Sequence, residues 1–276
     1  MKTGLVISLS AIVLLGIGVG VNLQKEKSAS DIDVEYFSED LILLELFTSQ
    51  GCSSCPPAES VLSKIAKDDR YSAVVIPLAY HVDYWDYLGW RDPFSSTQWT
   101  ERQANYREAF GEATLYTPQI VIQGEYEAVG SDENKIKRRL NHLVSTPKEN
   151  PAKISIEDVK LKDNQVVLDI MASRQDTAFK DMVMVMAAVF ENISATDVKA
   201  GENAGRTLRN DFVVRSLNAK PLMLSKDGQK QIQVSLLLED DWNQENLGVV
   251  SWIQDATSME IYHVDATKGL VGTTDG

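Results

Sequence analysis

The hydrophobic positions of this chain change period several times, and each change predicts a different element. The longest uncharged run comes first, from Gly4 to Val21 behind the single Lys2. As a helix it would span about 27 Å, against about 30 Å for a bilayer hydrocarbon core. That predicts a signal peptide or membrane anchor over residues 1–24; the length favours an anchor, while Ser28-Ala29-Ser30 offers a small-residue cleavage site. Residues 25–40 are polar and read as a linker.

Two continuous apolar runs of strand length follow, Leu41–Phe47 and Ala73–Ala79. Between them Ala58, Val61, Leu62, Ile65 and Ala66 recur at i, i+3, i+4, i+7 and i+8, the stripe of a helix packed on a sheet. Strand, helix, strand predicts a parallel βαβ unit whose right-handed crossover brings both strand ends to one edge. An aromatic-rich stretch, Tyr80–Phe94, leads to Ser95 and Gln98, which read as a capping box, and to a helix face of Trp99, Gln103, Tyr106 and Phe110 ended by Gly111. Gln119–Ile122 and Glu125–Val129 about Gly124 predict an antiparallel hairpin. Ser131 is placed to cap a last helix with the stripe Ile136, Leu140 and Leu143.

After Pro147 and Pro151 the helical period disappears. Ile154–Ile156, Val166–Ile170, Met182–Phe190, Ile232–Leu238, Val249–Ile253 and Ile261–Val264 read as strands, with a hairpin turn at Asp227-Gly228. The expected organisation is therefore an α/β domain over 41–147 and an all-β, sandwich-like domain over 148–276.

With 276 residues, 43% of them apolar, the chain fills one or two cores. A net charge of −13 argues against a nucleic-acid binder, which needs clustered Lys and Arg along phosphates. The N-terminal run points to export, to the periplasm or cell exterior, where dithiol and disulfide chemistry persists.

The candidate chemistry lies in Gly51-Cys52-Ser53-Ser54-Cys55-Pro56, between the first strand and the first helix. The only two cysteines of the chain sit three positions apart, so each has the other as its sole intramolecular partner. Closing so short a loop restrains the unfolded chain by only about 2 kcal/mol, a poor structural staple. A redox role uses the pair better. Unpaired N–H groups at a helix N-terminus favour a thiolate, making Cys52 a nucleophile and Cys55 the thiol that resolves the mixed disulfide. Pro56 falls in the first turn, where its missing donor costs nothing. A closed zinc site is disfavoured because it needs four ligands.

His81 and Asp83, just past the second strand, are expected on the same edge as the thiols. Trp85, Trp90 and Trp99 either form a substrate-facing platform or pack the connection onto the sheet. Asn203, Arg206 and Arg215 either bind an anion or are solvated.

The order strand, Cys-x-x-Cys helix, strand, helix, Thr-Pro hairpin, helix resembles the thioredoxin fold. More closely, Glu45–Glu59 with Ala79–Asp86 and Tyr116–Gln119 is similar to a family of secreted thioredoxin-like proteins of otherwise unassigned function, over about residues 41–145. Gly201–Arg206 with Val213-Val214-Arg215 also looks like that family. The resemblance implies a redox class and no known substrate. It also implies a cis Pro118 against the dithiol, with Thr117 beside the substrate, and Glu45 as the buried acid beneath the thiols, although Glu45 stands seven residues before Cys52 where thioredoxins have six.

Three functional classes follow. The leading one is an extracytoplasmic thiol–disulfide oxidoreductase acting on a protein or small thiol, without a bound cofactor: Cys52 attacks, Cys55 resolves, Pro118 shapes the site, Glu45 or His81 moves protons, and Thr117, Trp85 and Asp83 face the substrate. The second is a Cu(I)-binding protein using Cys52, Cys55 and His81, since Cu(I) is soft and accepts few ligands. The third is a non-enzymatic envelope module with an inert disulfide.

Overall fold

The computed structural model of the protein describes residues 30–31, 40–175, 182–224 and 228–267. The expected signal or anchor over 1–24, the cleavage site up to Ala29 and Asp227 of the expected turn lie outside these residues. Among the described residues no helix is long and apolar enough to cross a membrane.

The fold is a sheet-rich mixed α/β structure. β1 (Ser30–Asp31) pairs with Lys160 and Leu161, so part of the expected linker joins a sheet. β2 (Ile42–Thr48), α1 (Cys55–Lys67) and β3 (Val75–His81) form the expected parallel unit, in which Thr48 lies opposite His81. α2 (Thr97–Phe110) follows, then β4 (Gln119–Ile122), antiparallel to β2, and β5 (Tyr126–Val129), then α3 (Glu133–Ser145). Strand alternation sorts the helices onto two faces. Leu44 and Leu46 of β2 pack with Ala58, Leu62 and Ile65 of α1 and with Ile136 and Leu140 of α3. Leu43 and Phe47 point the other way, toward Trp99 and Tyr106 of α2.

Two helix starts are displaced by one residue from the expected ones. Ser96, not Ser95, caps α2 by accepting the Gln98 N–H, because the Ser95 hydroxyl donates to Asp86 instead. Asp132, not Ser131, caps α3 by accepting the Lys135 N–H, a stronger acceptor at a positive helix end.

The remaining strands are β6 (Ala152–Lys162), β7 (Gln165–Arg174), β8 (Met182–Asp197), β9 (Thr207–Met223), β10 (Gln229–Leu237), β11 (Leu247–Gln254) and β12 (Ile261–Ala266). β6, β7 and β10 form a four-stranded sheet with β1, packed over one face of β8 and β11 through Ile154, Ile170, Val185, Val189 and Val249. The turn expected at Asp227-Gly228 falls partly outside the described residues; β9 and β10 enter different sheets.

The sheet also crosses the boundary expected at 147/148. Eight strands run in the order β12-β11-β8-β9-β3-β2-β4-β5, joined where β9 lies parallel to β3 with Val213 opposite Ala79. The other face of β8 and β11 supplies Met186, Ala188, Val250 and Trp252 to the same core as Phe47, Tyr80 and Tyr106. The sheet thus curls about α2, and Ile261 N–H reaches the carbonyl of Gln123 at the β4–β5 turn.

Candidate active site

The dithiol loop leaves the C-terminal end of β2 and turns at Ser49, whose carbonyl accepts the Cys52 N–H at 3.2 Å. Gly51 is needed here: a Cβ would stand 2.9 Å from the Cβ of Trp85, closer than packed atoms sit. Both cysteines are free thiols and buried. The Cys52 Sγ lies 3.3 Å from the Ser54 hydroxyl and 4.0 Å from the carbonyl oxygen of Thr117, whose bond to Pro118 is cis. Trp85 donates its indole N–H to the Thr117 hydroxyl at 2.8 Å, so Cys52, Thr117, Pro118 and Trp85 converge as expected.

The two thiols differ sharply. The hydrogen bond from Cys55 to the Cys52 sulfur, helped by Ser54 and Thr117 against the cost of burial, lowers the Cys52 thiol to about 6. Burial, reinforced by the Cys52 charge, pushes the Cys55 thiol far above its ordinary range.

Behind Cys55, on the α1 face of the sheet, is a polar cluster. Thr48, fully buried, donates its hydroxyl to Glu59 Oε1 at 2.7 Å. Burial raises the Glu59 carboxyl, against the pull of the neighbouring His81 charge. His81 Nδ1 is 2.7 Å from Asp92 Oδ2. Burial opposes the imidazolium, but the Asp92 carboxylate outweighs it and holds His81 above its usual range. Asp92 also accepts the Gln50 and Phe94 N–H groups, which fastens the dithiol loop to the aromatic connection.

Two expected site residues stand elsewhere. Glu45 does not lie beneath the thiols, because its place between Leu44 and Leu46 turns it to the opposite face of β2 from α1. There it takes Arg102 Nε and Nη2 on Oε1, each at 2.7 Å, and the Tyr106 hydroxyl on Oε2. Arg102 in turn sits 5.5, 5.2 and 5.2 Å from the ring centres of Tyr80, Tyr106 and Trp252. Asp83 accepts the hydroxyls of Thr97 and Thr100, each at 2.6 Å, and so secures the start of α2. Trp90 donates to the Gln50 side chain and Trp99 packs in the core, the packing alternative for both.

The loop between β8 and β9 covers the dithiol loop. Asn203, fully buried, donates through Nδ2 to the carbonyls of Gln50 and Cys52, both at 2.9 Å, and accepts from Arg206 at 2.7 Å. Glu202 accepts the Ser53 N–H at 2.8 Å. Arg215 pairs with Glu191 at 3.5 Å and lies over the rings of Phe94 and Trp242, neither solvated nor open to an anion. Sequence reasoning missed Thr48, Glu59, Asp92 and the contacts of Asn203. The spacing of Glu59, four residues after Cys55 on a helix, is the one local signal that pointed to it.

Among the described residues no cluster of three His, Cys, Asp or Glu side chains is placed to hold a metal ion.

Known proteins share this architecture. HBP35 of Porphyromonas gingivalis superposes with a TM-score of 0.59 at 17% identity, over 88% of this chain and 80% of its own, a likeness of fold alone. A crystal structure of an Agrobacterium tumefaciens protein superposes with a TM-score of 0.60 at 28% identity, over 87% of this chain and 98% of its own. A protein described as a probable thioredoxin from Archaeoglobus fulgidus is 42% identical over 38 residues, only 14% of this chain and 42% of that relative's length. A family model described as "Protein of unknown function (DUF1223)" matches residues 43–254, most of the described fold and all of the dithiol site, and the chain belongs to that family.

Proposed function

We propose that this protein is a thiol–disulfide oxidoreductase whose β2–α3 segment is a thioredoxin-like unit, acting outside the cytoplasm behind an N-terminal export or anchor segment. The observation that carries the reading is the inequality of the two thiols at the start of α1: one is lowered to about 6, the other suppressed by burial. That is the division a nucleophile and a resolver need. The Cys52 thiolate attacks one sulfur of a substrate disulfide, and the other substrate sulfur leaves as a thiolate. Cys55 then loses its proton and attacks the Cys52 sulfur, closing the Cys52–Cys55 disulfide and releasing the second substrate thiolate. The reverse sequence oxidises a dithiol. The Thr117 backbone and Trp85 border the approach to Cys52, so the substrate is a protein segment or small thiol that meets them.

Replacing Cys55→Ala removes the resolver and leaves the attacking thiol, so mixed disulfides accumulate in cells and identify the substrate after non-reducing electrophoresis. Cys52→Ala captures nothing. If neither variant captures a partner and the potential of the pair lies below roughly −300 mV, the range of inert structural disulfides, the reading fails. Fractionation of cells with protease protection tests the export half of the proposal: protection from protease added outside the cytoplasmic membrane refutes it.

A further inference from the structure

The carboxylates around the dithiol loop differ in how much of each is left for a substrate. Asp83 accepts the Thr97 hydroxyl on one oxygen and the Thr100 hydroxyl on the other. Asp86 likewise takes the Ser95 hydroxyl and the Asp92 N–H, and Asp92 takes the Phe94 N–H on one oxygen and the Gln50 N–H, beside His81, on the other. Glu202, in the loop between β8 and β9, is exposed. It accepts the Ser53 N–H on Oε2 at 2.8 Å, and among the described residues no Lys or Arg pairs with it.

This exposed charge is also held in place. Two consecutive residues grip the peptide that links Cys52 to Ser53: Asn203 donates to its carbonyl at 2.9 Å and Glu202 accepts its N–H. Gly201, just before them, lies against the aromatic connection. It has a φ of +74°, and a Cβ there would stand 3.3 Å from the Cβ of Trp90 and 4.0 Å from the Leu88 carbonyl oxygen. The Ser53 N–H holds the Glu202 carboxyl below the usual carboxylate range, so the charge is present wherever Cys52 is ionised. Arg206, the cation of the same loop, donates to Asn203 Oδ1 at 2.7 Å instead.

We propose that Glu202 is a specificity-determining residue that makes disulfides flanked by positive charge the preferred substrates of Cys52; the proposal deepens the oxidoreductase reading above and rests on it. Consecutive Cα atoms are about 3.8 Å apart, so a Lys or Arg beside the substrate cysteine can reach this carboxylate while its neighbour's sulfur meets Cys52. An acidic flank is repelled at the same place. In water a pair of unit charges about 4 Å apart changes a rate by about fivefold, and salt screens the effect.

The test measures second-order rate constants of the reduced protein with cystamine, which is cationic, hydroxyethyl disulfide, which is neutral, and dithiodiglycolate, which is anionic. Two peptide disulfides, with Lys or with Glu beside the cysteine, are measured alongside. The ratio of cationic to anionic rates is read within each variant, so a change in Cys52 ionisation cancels. Glu202→Gln keeps an acceptor for the Ser53 N–H; relative to the neutral disulfide it should slow the cationic reaction and speed the anionic one by about fivefold each, a fall of about 25-fold in the ratio. Glu202→Lys should reverse the preference, and salt at about 1 M should shrink that of the wild type. Glu157→Gln, at an exposed position of β6, removes the same unit from the net charge of −13 and should leave the ratio unchanged. A fall confined to the peptides supports the proposal with polypeptides as the source of the positive charge; a fall in both sets supports it for cationic disulfides of any size. An unchanged ratio in both Glu202 variants overturns the proposal and leaves the oxidoreductase reading standing. A wild type that reacts no faster than Cys52→Ala with any of these disulfides overturns the oxidoreductase reading, and the proposal with it.

Discussion

The depressed Cys52 thiol makes a quantitative prediction for alkylation. At pH 7 a thiol at about 6 is about 90% ionised, whereas one at the ordinary 9.0 is about 1% ionised. Each low-pKa thiolate is also a weaker nucleophile; a Brønsted slope of 0.4–0.5 over three units reduces its reactivity by about 15- to 30-fold. The net advantage at pH 7 is therefore only about three- to sixfold, but at pH 5 it grows to about 30- to 60-fold, because the ordinary thiol is by then almost wholly protonated. Iodoacetamide labelling of the reduced protein from pH 4.5 to 9.5, with each cysteine read by mass spectrometry, should give a midpoint near 6 for Cys52 and almost no labelling of Cys55. Cys55→Ala removes the largest stabiliser of the Cys52 thiolate, so the midpoint should move up. The sign for stability follows. A depressed native value contributes stability that is fully present above the unfolded value and is lost as pH falls through about 6, and the disulfide form lacks this dependence. If both cysteines label together with a midpoint near 9, the reasoning about the start of α1 is wrong.

Arg102→Met leaves the buried Glu45 with only the Tyr106 hydroxyl and should cost about 3–5 kcal/mol in urea unfolding; replacing both partners by apolar residues should cost less, and a loss below about 1 kcal/mol in the single variant would refute the account. Asn203→Ala strips a donor from two buried carbonyls of the dithiol loop, so it should destabilise by about 1–3 kcal/mol and change the Cys52 labelling midpoint. Asp92→Asn removes the carboxylate that supports the imidazolium, and the His81 titration followed by NMR should move to lower pH. In the wild type that support stabilises the fold below the unfolded histidine value and is lost as pH rises through the native one. Gly124→Ala forces a Cβ to 2.0 Å from the Met259 carbonyl oxygen at a residue with φ of +67°, so it should cost more than about 1 kcal/mol of thermal stability.

The sequence by itself determined what a single element decides. The stripe from Ala58 to Ile65, the apolar runs of β2 and β3 and the Gln123-Gly124 turn are local, and they placed Cys52 and Cys55 at a strand-to-helix turn; Thr117-Pro118 beside them was implied only by the family resemblance. A side chain's direction within a helix or strand follows from its period, so no distant partner was needed.

Only the tertiary structure decided what depends on the partner across the gap. β9 was not legible as a strand, because Arg209, Asp211, Arg215 and Lys220 interrupt its apolar positions; Arg209 pairs with Asp211 on the same strand, and Glu191, the partner of Arg215, arrives only once β8 and β9 lie side by side. That pairing carries Asn203 back to a carbonyl 151 residues earlier in the chain and lets the eight-stranded sheet run across the boundary expected at 147/148. Glu45 and Glu59 part in the same way: strand parity sends Glu45 to Arg102, while Glu59, on α1, accepts the hydroxyl of Thr48.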